Sequence, residues 1–192
     1  MAKKLTTMTL EDFKKNFNNQ ITNEFSLFFE INDELGFENY SQGFGLYEDD
    51  KSGIATWSED PAFLDKLMPF AQANGSGSMY VLWNNDSSKS LNELPIVVFG
   101  DEGGYHIVTK NIFEFMQLLT FDNEISVDHK EAYFYKDEDD YEESENLSEY
   151  KVWLKENFNL DPIEETESIL ENAQETYKAE FDEWVSQFYS EN

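Results

Sequence analysis

The sequence predicts an α+β fold in which one central, mainly antiparallel sheet is flanked by helices and followed by a C-terminal helical extension. Apolar, β-prone runs recur between residues 79 and 108, separated by polar or glycine-rich loops. Segments on both sides of these runs space apolar residues three and four positions apart, as amphipathic helices do. Aromatic residues make up 16% of the 192 residues, which supplies apolar area for one sizeable core.

The segment Met68–Leu119 carries the strands around which the chain is organised. An apolar opener at Met68–Asn74 leads into the small residues Gly75–Ser78, where the backbone can turn tightly. Pro95 stands at the first position of a strand, where its missing N–H is tolerated. Three runs are predicted to be neighbours in one sheet, and they are Tyr80–Trp83, Ile96–Phe99 and Tyr105–Val108.

Helices are predicted where a capping residue precedes an apolar stripe. The predicted N-caps are Thr9, Asp60, Asn111, Ser148 and Asp161. The inward residues after Asn111 are Ile112, Phe115, Met116 and Leu119, and Leu67 is expected inward after Asp60. The last helix carries an apolar stripe at Ile169, Ala173, Tyr177, Phe181, Trp184 and Phe188. We expect this stripe to pack on the core, the alternative being a partner-binding element.

Two N-terminal segments are harder to assign. Phe25–Ile31 fits a strand or a helix, and a helix ending near Gly36 is favoured because the acidic residues that follow are poor strand formers. Gly43–Tyr47 and Gly53–Trp57, joined by a short polar segment, resemble a hairpin.

The charge balance restricts the class of partner. Lysine supplies all 13 positive charges, arginine is absent, and 41 acidic residues bring the net charge to −28. Such a surface repels phosphate backbones and anionic membranes, so we expect no direct nucleic-acid or membrane binding and favour a basic protein partner. There is no cysteine, no apolar run long enough to span a bilayer, and no signal-peptide core after Met1–Lys4. These features predict a cytoplasmic protein.

Catalytic patterns are not found in the sequence, which predicts a non-enzyme without cofactor or metal. The two histidines are His106, within a strand pattern, and His129, after Asp128. The glycine-rich turn Gly100–Gly104 matches neither phosphate-binding signature. The carboxylates of Lys136–Glu145 could gather a calcium ion, but they lack the spacing of a calcium loop.

The order of the motifs resembles the SUKH superfamily, which groups bacterial immunity proteins with a fungal regulator of cell-wall synthesis. The matching stretches are Leu67–Ala71, Gly75–Ser78, Tyr80–Trp83, Pro95–Gly103 and Asn111–Met116. The resemblance implies an α+β fold without a cofactor that functions by binding. Many bacterial members are thought to neutralise secreted toxins, often nucleases.

Together these points predict three parts: a SUKH-like domain at 1–135, an acidic loop at 136–147, and C-terminal helices at 148–192 packed on the same domain. We expect a non-catalytic immunity protein that occludes a basic toxin domain, the alternative being an intracellular scaffold or regulatory interaction protein. The predicted partner-binding residues lie in loops that join strands, where ordinary solvated turns are the alternative. They are Trp83, Asn84, Asn85, Asp86, Asp101, Glu102 and Tyr105.

Overall fold

A five-stranded antiparallel sheet forms the centre of the structure, a computed structural model that describes residues 8–137 and 139–188. The strands lie side by side in chain order as β1 (Gly45–Leu46), β2 (Leu67–Gln72), β3 (Met79–Trp83), β4 (Ile96–Phe99) and β5 (Tyr105–Thr109). A separate two-stranded sheet pairs β6 (Ile125–Val127) with β7 (Ala132–Phe134). The run Met1–Lys4 lies outside the described residues.

Helices lie before, between and after these strands. In the described residues they are α1 (Leu10–Lys15), α2 (Asn23–Leu35), α3 (Pro61–Leu64), α4 (Ile112–Leu118), α5 (Leu147–Phe158) and α6 (Glu167–Ser186). Short 3₁₀ turns are found at Ile54–Thr56, Leu91–Glu93 and Leu119–Phe121.

The predicted neighbours in the sheet are confirmed. Tyr80 on β3 pairs with Val98 on β4, and Val98 pairs with His106 on β5. Because successive strand residues point to opposite faces, each strand contributes to two separate cores. One face carries Val81, Trp83, Val97, Phe99 and Ile107 and is covered by α6. The other carries Tyr80, Leu82, Ile96, Val98 and Val108 and packs against the remaining long helices. The chain therefore has the α+β class that its sequence predicts.

Local capping explains the helices whose positions the sequence predicted correctly. Thr9 and Asp12 form a reciprocal capping box at the start of α1. The Asn111 side chain accepts the Glu114 N–H and starts α4. The segment around Phe28 is helical, as favoured, and α2 ends before Gly36. All of these signals lie within one turn of sequence, so they need no tertiary context.

The predicted hairpin between Gly43 and Trp57 is wrong. Gly45 and Leu46 pair with β2 instead, and Ile54–Thr56 forms a 3₁₀ turn. The Asp49 and Asp50 carboxylates accept the N–H groups of residues two positions on, which turns the chain locally. Leu67, expected on the helix after Asp60, begins β2. The apolar opener is thus itself a strand, buried on both faces.

Two helix starts near the C terminus are displaced from their predicted positions. Ser148 is already within α5, which begins after Asn146, and the Asn146 amide donates to Leu35 O at 2.7 Å. The start signal at Asp161 is wrong, because α6 begins only at Glu167. Tertiary hydrogen bonds hold the intervening segment: Gln117 donates to Asp161 O, and the Ile163 N–H donates to Thr120 Oγ1, both at 3.0 Å.

Helix α6 packs on the sheet, as its stripe predicts. The Phe181 ring lies 4.8 Å from Trp83 and 5.5 Å from Tyr105, measured between centroids. Leu170 and Val185, which the predicted stripe omitted, are also buried. Together with Ile54 and Phe63, the helix covers the sheet face that carries Trp83, Phe99 and Ile107.

The acidic segment after β7 is attached to the body through a buried carboxylate. Asp122 is fully buried and accepts hydrogen bonds from the Gln42 N–H, the Tyr141 hydroxyl, and both the N–H and hydroxyl of Ser144. Burial raises the pKa of Tyr141, and so does the hydrogen bond that its hydroxyl donates to Asp122. The sequence predicts only an acidic loop at 136–147, and in its described part these contacts attach the loop to the body of the protein.

Replacing Asp122 by alanine is expected to lower the free energy of unfolding by about 3 kcal/mol, because it removes four hydrogen bonds and leaves their donors without an acceptor. Chemical denaturation measures this loss. Asp140→Ala removes an exposed carboxylate from the same segment and is the control, expected to change stability by under about 0.5 kcal/mol. Equal effects of the two substitutions would contradict the anchoring role of Asp122.

Candidate partner-binding surface

The strand order separates the predicted binding residues into two groups. The connection from β3 to β4 and the connection from β4 to β5 leave the sheet at opposite ends, because the three strands are antiparallel neighbours. Strand β4 has four residues, so the two ends lie roughly 13 Å or more apart. Asn84, Asn85 and Asp86 therefore do not form one patch with Asp101, Glu102 and Tyr105.

Trp83 lies below the surface. Its side chain is 2% exposed and packs between Phe181 and Trp184 of α6. Trp83, predicted to be a partner-binding residue in a loop, instead ends β3 beneath α6, so a partner reaches its ring only if α6 leaves the sheet. The indole N–H is buried without a hydrogen-bond partner among the described residues.

The loop after Trp83 presents polar groups at the first end of the sheet. Asp86 is exposed and accepts the N–H and hydroxyl of Ser88. The side-chain oxygens of Asn84 and Asn85 are buried and have no hydrogen-bond partner in the described part of the chain. These oxygens are unused acceptors, and Asn84 lines a polar recess of about 420 Å³.

At the second end, Asp101 is held in one position by the neighbouring loop. Its carboxylate accepts the hydroxyls of Ser76 at 2.8 Å and Ser78 at 2.9 Å, and its own N–H donates to Ser78 Oγ. The hydrogen bond from Ser76 is the main reason that the pKa of Asp101 is lowered. The carboxylate is therefore charged at neutral pH and is pre-positioned at the surface, with Glu102 exposed beside it.

The turn that carries Asp101 is constrained by its glycines. Gly104 has a φ of +85°, and a Cβ there would lie 2.0 Å from the backbone oxygen of Asp128. The turn is thus packed directly against the β6–β7 connection. Tyr105, the next residue, is half-buried, and its ring contacts both Phe99 and Phe181.

A recess beside this turn joins acidic and apolar groups, and we call it the Asp101 recess. It has a volume of about 530 Å³ and is lined by Trp57, Met79, Phe99, Asp101 and Glu102 together with small residues. The Trp57 and Phe99 rings are 5.2 Å apart in an edge-to-face arrangement. The sequence did not indicate Trp57 and Met79 as site residues, because Trp57 falls in the predicted hairpin and Met79 directly precedes the predicted strand Tyr80–Trp83.

The histidines have structural contacts. His106 Nε2 lies 2.7 Å from the Asp128 carbonyl oxygen, so this nitrogen donates to it. The His129 ring packs beside Gly103. Across residues 8–137 and 139–188, no three His, Asp or Glu side chains converge as metal ligands would. No helix in the same ranges has both the length and the apolarity needed to cross a bilayer.

No protein-family model, curated protein or solved structure matches this chain significantly.

Proposed function

We propose that this chain is a non-catalytic binding protein, an immunity protein that neutralises a basic toxin domain by covering its active or substrate-binding surface. The observation that carries the proposal is the Asp101 recess, where a fixed carboxylate stands beside an aromatic pocket. The resemblance of the central motifs to the SUKH superfamily supports the same function.

The geometry of the recess suits a lysine or arginine side chain. Such side chains bury their aliphatic stems against apolar surface while the charged head reaches a polar partner. Trp57 and Met79 supply the apolar walls, and the Asp101 carboxylate supplies the acceptor. Because Ser76 and Ser78 already orient that carboxylate, little conformational entropy is lost when a cation binds to it.

The net charge of −28 favours the same kind of partner. A strongly acidic surface attracts a basic one over several Ångströms and raises the association rate, most of all at low salt. A toxin that acts on nucleic acid has a basic substrate surface, and carboxylates placed there would occupy the positions of phosphates. Inhibition of this kind requires only binding.

We expect the association rate to fall by roughly tenfold or more as the salt concentration rises from low to above physiological. The dissociation rate is expected to change less. The partner for this experiment is the protein encoded by a toxin-like reading frame next to the gene of this chain. Stopped-flow binding measures both rates. An association rate that is independent of salt would contradict the electrostatic mechanism.

The double variant Asp101→Asn/Glu102→Gln is expected to weaken binding about tenfold, because it removes both rim charges with little change in shape. The matched control is Glu164→Gln/Glu175→Gln, which makes the same change in net charge at exposed positions elsewhere. Equal weakening by both variants would show that only total charge matters and would overturn the recess as the contact site. Binding that leaves the toxin active would instead support the scaffold function.

A further inference from the structure

A second surface of this protein is an apolar groove between α2 and α5. The groove has a volume of about 390 Å³ and exposes more apolar than polar surface. Ile31 and Leu35 of α2 form one wall, and Val152 and Trp153 of α5 form the other. It shares no lining residue with the Asp101 recess, and its walls belong to the core on the opposite face of the sheet.

The groove is formed by regular helical stripes. Residues 31, 34 and 35 of α2 and residues 149, 152, 153 and 156 of α5 follow the three-and-four spacing of one helix face. Helix α5 already buries another face, with Leu147, Tyr150 and Leu154, against the core. The stripe that carries Val152 is therefore not part of the face with which α5 packs on the core.

Val152 is 56% exposed, one of few large apolar side chains exposed in the described residues. Trp153 beside it is half-buried and stacks on Tyr150, with ring centroids 5.6 Å apart. At one end of the groove, Asn146 joins the start of α5 to the end of α2, because its N–H donates to Asn39 O and its side-chain amide donates to Leu35 O. A preformed apolar channel between two fixed helices matches the way in which a third helix is bound.

Charge identifies the occupant. The polar residues of the groove include Glu34, Glu149 and Glu156, and no lysine lines it. Helix α2 carries four acidic residues and no basic one over its whole length. A second copy of this chain would bring a net charge of −28 and the same three glutamates to the interface, so like-charge repulsion opposes self-association here.

We infer that the α2–α5 groove binds a basic amphipathic helix of a partner protein, with apolar side chains against Val152 and Trp153 and lysines or arginines against the three glutamates. This inference goes beyond the proposed function, because it assigns a separate surface and holds whether or not the Asp101 recess contacts a toxin. Two surfaces would allow the protein to bind two partners, or two parts of one.

The probe is a synthetic peptide made of two LKKLLKL repeats, which forms a basic amphipathic helix, compared with a scrambled peptide of the same composition. Titration into isotopically labelled full-length protein is followed by amide chemical shifts. We expect the shifts to concentrate at Ile31, Leu35, Val152 and Trp153 and to be stronger with the amphipathic peptide. Shifts that concentrate at Asp101–Tyr105, or that are equal for both peptides, would overturn the inference.

Variants separate groove binding from general attraction to an acidic protein. Glu34→Gln/Glu149→Gln/Glu156→Gln is expected to weaken peptide binding about tenfold relative to Glu164→Gln/Glu175→Gln/Glu180→Gln, which has the same net charge. Val152→Lys, at an exposed position, is expected to weaken it by a similar factor. Thermal melts verify that each variant is folded. If the two triple variants bind alike, the groove is not the site.

The alternative occupant of the α2–α5 groove is a second copy of the chain. Sedimentation analysis of the wild-type protein in high salt, where charge repulsion is screened, tests this. We expect a monomer across the salt range. A dimer that Val152→Lys dissociates would overturn the inference and assign the groove to self-association.

Discussion

Val98→Asp is expected to lower the free energy of unfolding by roughly 3–5 kcal/mol, because it places an unpaired carboxylate in the middle of the sheet. Val98 is fully buried, pairs with Tyr80 on one side and His106 on the other, and points into the core beneath the helices. A loss of this size corresponds to a fall in the melting temperature of about 6–20 °C.

Val152→Asp is the matched control, since it makes the same chemical change at a position that is 56% exposed. Its effect on stability is expected to stay within about 0.5 kcal/mol. Circular dichroism melts and urea titration of the two variants give the comparison. A Val98→Asp protein that melts with the wild type would mean that β4 is not a buried inner strand between β3 and β5.

Removing α6 is expected to have a still larger effect. A chain that ends at Glu165 lacks the buried α6 residues Leu170, Ala173, Phe181 and Val185, and it uncovers the part of the sheet face on which Phe181 packs, around Trp83 and Tyr105. Each large side chain contributes about 1.5–3 kcal/mol on burial, so the total loss is on the order of 5 kcal/mol or more. This is comparable with the entire stability of an ordinary domain. We expect the shortened chain to aggregate or to bind a hydrophobic dye strongly.

A point variant tests the same contact within the full-length chain. Phe181→Ala is expected to cost roughly 3–5 kcal/mol, because the ring fills the space between Trp83 and Tyr105. Tyr133→Ala, which removes a ring that is 46% exposed, is the control and is expected to be nearly neutral. For the chain that ends at Glu165, a soluble monomer with an unchanged melting temperature would contradict packing of α6 on the sheet. It would mean that α6 is a detachable partner-binding element.

The candidate site was only partly predictable. The acidic turn at Asp101 was found because glycines and acids between two β-prone runs are a strong local signal. Its partners were not, since Ser76 and Trp57 lie 25 and 44 positions earlier and reach the turn only through the sheet and the 3₁₀ segment. The α2–α5 groove was missed for the same reason, because its two walls are more than a hundred residues apart.

The sequence by itself determined the elements whose signals are local: the strands β3, β4 and β5, the caps at Thr9 and Asn111, and the net charge of the surface. Tertiary structure decided which elements meet. It paired Gly45 and Leu46 with β2, prevented a helix from starting at Asp161, and placed Trp83 beneath α6. Hydrogen bonds and contacts between distant residues outweigh local propensities of a fraction of a kcal/mol, and only the folded chain brings those residues together.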